Sequence, residues 1–245
     1  MEATTEKAKK KLIVALDIDN LSQARDLVKE LKDSVGLFKI GHQLFTRSGL
    51  LAVAMVHEEG GKVFLDLKYH DIPHTVKNAV EAAVNLKVAM LNVHTLGGRA
   101  MMKAAAEAVR SKTREIIVTP PILLGVTVLT SLSDADLADV GIHSPVAEEV
   151  MQLATLAYSS GLNGVVASPQ EISPIRKVCP AGFLIVTPGV RLPDAAGDDQ
   201  KRVLTPRQAI EAGADYVVIG RPILNASDPK TAAQKITADM AGTFV

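Results

Sequence analysis

Cysteine is almost absent from this sequence: Cys179 stands alone among 245 residues, so no internal disulfide can form and a reducing compartment suits the chain. Tryptophan is missing and aromatics make up only 3%, which leaves the core to aliphatic side chains. Neither sign of charge is in excess, with 27 Lys+Arg against 27 Asp+Glu. That balance removes the electrostatic argument for nucleic acid or an anionic membrane surface, while a small anionic ligand could still be held by a few local basic groups. The opening MEATTEKAKKK has no apolar stretch of the kind a secretory signal needs. No run approaches the roughly 18 apolar residues of a membrane helix. A cytoplasmic, membrane-free protein is expected, with residues 1–10 as a flexible tail ahead of one domain over 11–245.

What the chain does have is a 47% hydrophobic fraction dealt out in short runs. LIVALDI (12–18), GLFKIG (36–41), KVFLDLK (62–68) and MLNVHT (90–95) are followed by LLGVTVLT (123–130), GVVAS (164–168), FLIVTPG (183–189) and ADYVVIG (214–220). Between them lie segments of helical period, such as LSQARDLVKELKD (21–33) and GGRAMMKAAAEAVRS (97–111). Near-continuous apolar strands alternating with helices imply a parallel sheet covered by helices. Eight such units in 245 residues predict a single-domain (β/α)8 TIM barrel rather than an open doubly wound sheet. The Pro120–Pro121 pair cannot sit inside a sheet, so the fifth strand should start after it. GVRLPDAAGDDQKRV (189–203), long and poor in apolar residues, reads as a functional lid or a disordered loop.

Charges gather where they are expensive to bury. The third strand, VFLDLK, carries Asp66 and Lys68 on the face of Phe64, at its C-terminal end, and Asp71 follows shortly. Asp17 closes the first strand and Lys39 lies near the end of the second. In a barrel all four would converge on the rim where active sites are built; an ion-pair network that merely sets register is the structural alternative. His70 and His74 stand four apart, but Pro73 lies between them and no third ligand is evident, so no metal site is expected. His94 reads as a core or supporting residue and Cys179 as structural.

The run LDLKYHDIPHT, of the form D-x-K-x-x-D-I-P-x-T, resembles the signature of orotidine 5′-monophosphate decarboxylases. ALDIDN, FKIG, VTVLTS, TPGVR, DDQKRV and IGRPI resemble further motifs of that family, in order along nearly the whole chain. The resemblance implies conversion of orotidine 5′-monophosphate to uridine 5′-monophosphate in pyrimidine biosynthesis, with no cofactor and no metal. It implies a homodimer whose active sites are shared. Lys39, Asp66 and Lys68 would form a network completed by Asp71 of the neighbouring subunit. Asp17 and Lys39 would take ribose hydroxyls, joined by Asp71 and Thr75 from that neighbour, with Ile72 placed in the same pocket. Thr130 would meet the pyrimidine edge, Pro188 would line the substrate site, and Arg191, Gln200, Gly220 and Arg221 would hold the phosphate.

The residues support such chemistry in their own right. Loss of CO₂ from C6 leaves a carbanion, which needs a nearby cation and a proton. An ammonium at Lys68 could supply both, provided flanking acids keep it charged in a closed pocket. The same acids disfavour a neutral, Schiff-base-forming lysine. Arg221, after the apolar YVVIG, offers a fork that matches phosphate. Two other readings stay open. One is a sugar-phosphate decarboxylase or formaldehyde-fixing synthase working through a Mg²⁺-bound enediolate. The other is a non-catalytic nucleotide-binding barrel.

Overall fold

Short aliphatic runs become strands where both faces can be covered, and the structure, a computed structural model, places one in each predicted run. It describes residues 2–190 and 204–244. The strands are β1 (Leu12–Ala15), β2 (Leu37–Ile40), β3 (Val63–Tyr69), β4 (Met90–His94), β5 (Ile122–Val126), β6 (Gly164–Val166), β7 (Leu184–Thr187) and β8 (Tyr216–Ile219). They follow one another in sequence order around a closed barrel, with parallel pairing such as Ile13 opposite Leu37 on one side and Val218 on the other. The (β/α)8 TIM-barrel class expected from the repeat is the class found. The contacts divide the chain into two compact units, residues 1–67 with 187–245, and residues 68–186.

In the first unit, residues 2–11 correct the flexible tail expected from sequence. They form a helix (Glu2–Lys11) that packs on the helix Pro229–Ala241, with Ala8 fully buried. Lys11 donates to the Asp215 carbonyl at 3.1 Å and lies over the Phe244 ring. One buried alanine in a run of lysines is too little apolar signal for periodicity to detect. The helix Leu21–Leu31 begins where Asn20 accepts the Ser22 and Gln23 amides, and it buries Ala24, Val28 and Leu31. Gly36 is required by close approach, since a Cβ there would stand 2.4 Å from the Lys10 carbonyl oxygen.

In the second unit, the helix Pro73–Asn85 starts with proline in its first turn and buries Val76, Val80, Ala83 and Val84. It packs along the helix Gly98–Ile116. β5 begins at Ile122, directly after the two prolines, as their chemistry demands. It ends at Val126, four residues short of Thr130, so Thr130 lies in the exposed turn beyond the strand. Gly164 meets the Leu184 carbonyl so closely that a Cβ would sit 2.2 Å from its oxygen.

Candidate active site

The strand register explains why a lysine sits on β2 and aspartates flank it. Lys39 is level with Ala15 on β1 and with Phe64 on β3. Asp17 and Asp66 therefore stand two residues further along, on the same face and roughly 6–7 Å up the strand direction. A short carboxylate at those positions needs a long partner from below, and lysine has that length. Its Nζ lies 3.3 Å from Asp17 Oδ1 and 3.3 Å from Asp66 Oδ2. Asp66 is buried at 8% exposure, whereas Asp17 is open to solvent. A carboxylate as buried as Asp66 is tolerable because a cation stands beside it.

The first unit holds further polar features. Gly220 lies beside the end of β1, where a Cβ would come 3.8 Å from Asp17 Oδ2. The exposed Arg221 opens the short helix Arg221–Leu224 directly after it. Asp19 accepts hydrogen bonds from Gln43 Nε2 (2.7 Å) and Arg47 Nε (2.8 Å). The Gln43 bond foremost, with the Arg47 charge, holds its carboxyl below the usual range. Thr187 closes β7 before the half-buried Pro188, and its buried hydroxyl has no hydrogen-bond partner among the described residues. Arg191 and Gln200, with the rest of residues 191–203, lie outside the described residues.

In the second unit, Lys68 departs from regular strand geometry. Its φ is +48°, a left-handed conformation that costs a non-glycine residue about 1–2 kcal/mol. Strict alternation, the rule used above to put Lys68 on the face of Asp66, does not govern a residue with that φ. The Lys68 amide donates to Asn92 Oδ1 at 2.8 Å, and Asn92 is completely buried in β4. His94, two residues along the same strand, stacks on His70 with ring centroids 5.3 Å apart and planes 18° from parallel. Burial, then the charges of His70 and Lys68, push its pKa from 6.5 down to about 4, so the ring is neutral at ordinary pH.

His74 pairs with Asn78 at 3.2 Å, so the two histidines of YHDIPH point to different partners. Asp71, Ile72 and Thr75 are all exposed, and Ile72 shows 66% of its surface. Asp71 Oδ1 accepts the Ile72 amide at 2.6 Å, which shapes the turn before the helix.

Of the residues singled out from sequence, Asp17, Lys39 and Asp66 meet in one ion-paired group, with Gly220 at its edge. Lys68 follows Asp66 by two positions on the same strand. Asp71, Ile72, Thr75 and Thr130 belong to the second unit, where all four are exposed. Asn92 and the Asp19–Gln43–Arg47 cluster were missed. An asparagine amid the aliphatics of MLNVH was the available signal for the first, because a buried amide in a parallel strand must have a partner. Nothing in the sequence marked the second.

Comparison with known proteins gives a consistent picture. Residues 10–236 match the orotidine 5′-phosphate decarboxylase / HUMPS family. The chain is 53% identical over 237 residues to orotidine 5′-phosphate decarboxylase of Syntrophotalea carbinolica, covering 97% of each chain. It is 52% identical to the enzyme of that name from Trichlorobacter lovleyi, covering 97% of this chain and 98% of the other. Among solved structures, orotidine 5′-phosphate decarboxylase from Lactobacillus acidophilus superposes with a TM-score of 0.83 at 38% identity, over 94% of this chain and 98% of that one.

Proposed function

The chain belongs to the orotidine 5′-phosphate decarboxylase / HUMPS family, and on that premise we propose that its ionised rim removes CO₂ from orotidine 5′-monophosphate through a carbanion-like transition state at C6. Decarboxylation of this nucleotide to uridine 5′-monophosphate, a step of pyrimidine biosynthesis, is the carboxy-lyase activity that follows from relatives at about half identity over nearly the whole chain.

The observation that carries the mechanism is Lys39 held between Asp17 and Asp66, on a strand arrangement that brings Lys68 two residues beyond Asp66. A buried carboxylate next to the reacting carbon raises the energy of the substrate carboxylate, a strain that is relieved as neutral CO₂ leaves. The charge that develops at C6 is met by the Lys68 ammonium, which then gives it a proton. Lys39 offsets the two acids and, with Asp17, takes ribose hydroxyls.

Arg221, the Gly220 amide, Arg191 and Gln200 hold the phosphate, with Pro188 lining the site and Thr130 at the pyrimidine edge. The exposure of Asp71, Ile72 and Thr75 supports their insertion into the site of a second copy, so that the working unit is a homodimer. Residues 11–245 act as one catalytic barrel, without metal or organic cofactor and in the cytoplasm. No helix among the described residues is long and apolar enough to cross a membrane.

A direct absorbance assay of orotidylate loss, run with and without a chelator, tests the reading. Equal rates in both are expected. Activity that chelation abolishes would point instead to metal-enediolate chemistry, and tight nucleotide binding without turnover to a binding module.

A further inference from the structure

We infer that Asn92 is a positioning residue for the reaction, holding Lys68 in its left-handed turn through the amide-to-side-chain hydrogen bond. The inference rests on the assignment of Lys68 as the cation and proton donor at C6. Three observations carry it. Asn92 is wholly buried in β4 between the buried Leu91 and Val93, a place where an aliphatic residue would pack without any hydrogen-bonding requirement. Its Oδ1 accepts the Lys68 N–H at 2.8 Å, a backbone donor that in a regular parallel strand would bond a neighbouring carbonyl. Lys68 itself has φ +48°, a conformation that persists only where the surroundings impose it.

The geometry links these facts. The Lys68 amide is held by a hydrogen bond to a side chain of a rigid strand, and φ then sets the direction of the Cα–Cβ bond. Without the acceptor, the peptide can rotate toward ordinary extended values, and the direction of the side chain changes with it. Groups that bind ribose and phosphate are untouched by that rotation. The loss should therefore fall on kcat and spare KM.

Asn92→Leu keeps the volume and removes the acceptor. Its kcat for orotidine 5′-monophosphate should fall about 100-fold, the scale of a roughly 1 Å misplacement. KM should stay within about threefold of the parent. Asn92→Asp retains an oxygen at the same reach and should recover at least about tenfold of the lost kcat. If Asn92→Leu does not fold by circular dichroism and thermal melting, Asn92→Ser, too short to reach the amide, carries the same expectation. A folded Leu or Ser variant with near-parent kcat overturns the inference, as does a loss confined to KM, or an Asp variant no better than Leu. Lys68→Ala measured alongside separates two failures. If it remains active, the lysine assignment falls and takes this inference with it. If it is inactive while the Asn92 variants are normal, only the role of Asn92 is wrong.

Discussion

The two units of the chain hold their lysines by different means. In the first, Lys39 is fixed by charge, with a carboxylate 3.3 Å away on either hand. In the second, the backbone amide of Lys68 is held by the neutral side chain of Asn92 on β4, with the neutral ring of His94 two residues further along β4. An ion pair settles the position of a side-chain terminus and neutralises it at once. A backbone hydrogen bond acts on the direction of the side chain and not on its charge. The first arrangement suits the role proposed for Lys39, balancing buried acids; the second suits the role proposed for Lys68, meeting a new negative charge.

That contrast can be broken or sharpened experimentally. The largest effect is expected at Arg221, proposed above to hold the phosphate. Arg221→Ala should lower kcat/KM by at least about 100-fold in the orotidylate assay while the melting temperature stays put, because phosphate binding supplies energy for events at the distant pyrimidine. Near-parent kinetics would remove Arg221 from the phosphate site.

Next comes Lys39→Met, which deletes the cation beside the buried Asp66 and keeps the apolar stem. A loss of about 2 kcal/mol in urea-monitored stability is expected, since a buried carboxylate loses one of its partners. Unchanged stability would mean that Asp66 is held mainly by other contacts.

The smallest effect concerns pH. Burial depresses the folded-state pKa of His94 to about 4, below its ordinary 6.5, so the unfolded chain binds more protons in between. His94 therefore contributes stability that is present above about pH 6.5 and is lost as pH falls toward about 4. In His94→Asn the urea midpoint should decline less steeply across that window than in the parent; parallel declines would show that the ring is not held neutral by the fold.

Much of the architecture was legible without coordinates. The alternation of short aliphatic runs with helical periods marks eight strands because a parallel sheet covered on both faces needs uninterrupted apolar side chains. Asp17, Lys39 and Asp66 could be placed on one rim because period 2 decides which side chains share a face, and the structure pairs them. Lys68, by contrast, has a positive φ that period 2 does not foresee. The same rule carried the fifth strand on to Thr130, although β5 stops at Val126. The N-terminal helix was hidden because its burial depends on one small residue, Ala8, and on a partner helix more than 200 positions away.

The sequence alone therefore determined the barrel, the family resemblance and the identity of the charged set, since each rests on local spacing and motif. Only the tertiary structure decided the backbone conformation of Lys68 and which residue accepts its amide. Backbone φ at one position, and a hydrogen bond to a residue 24 positions further on, depend on atoms that the fold brings together. Periodicity reports which side chains are buried, but it carries no record of which buried donor finds which acceptor.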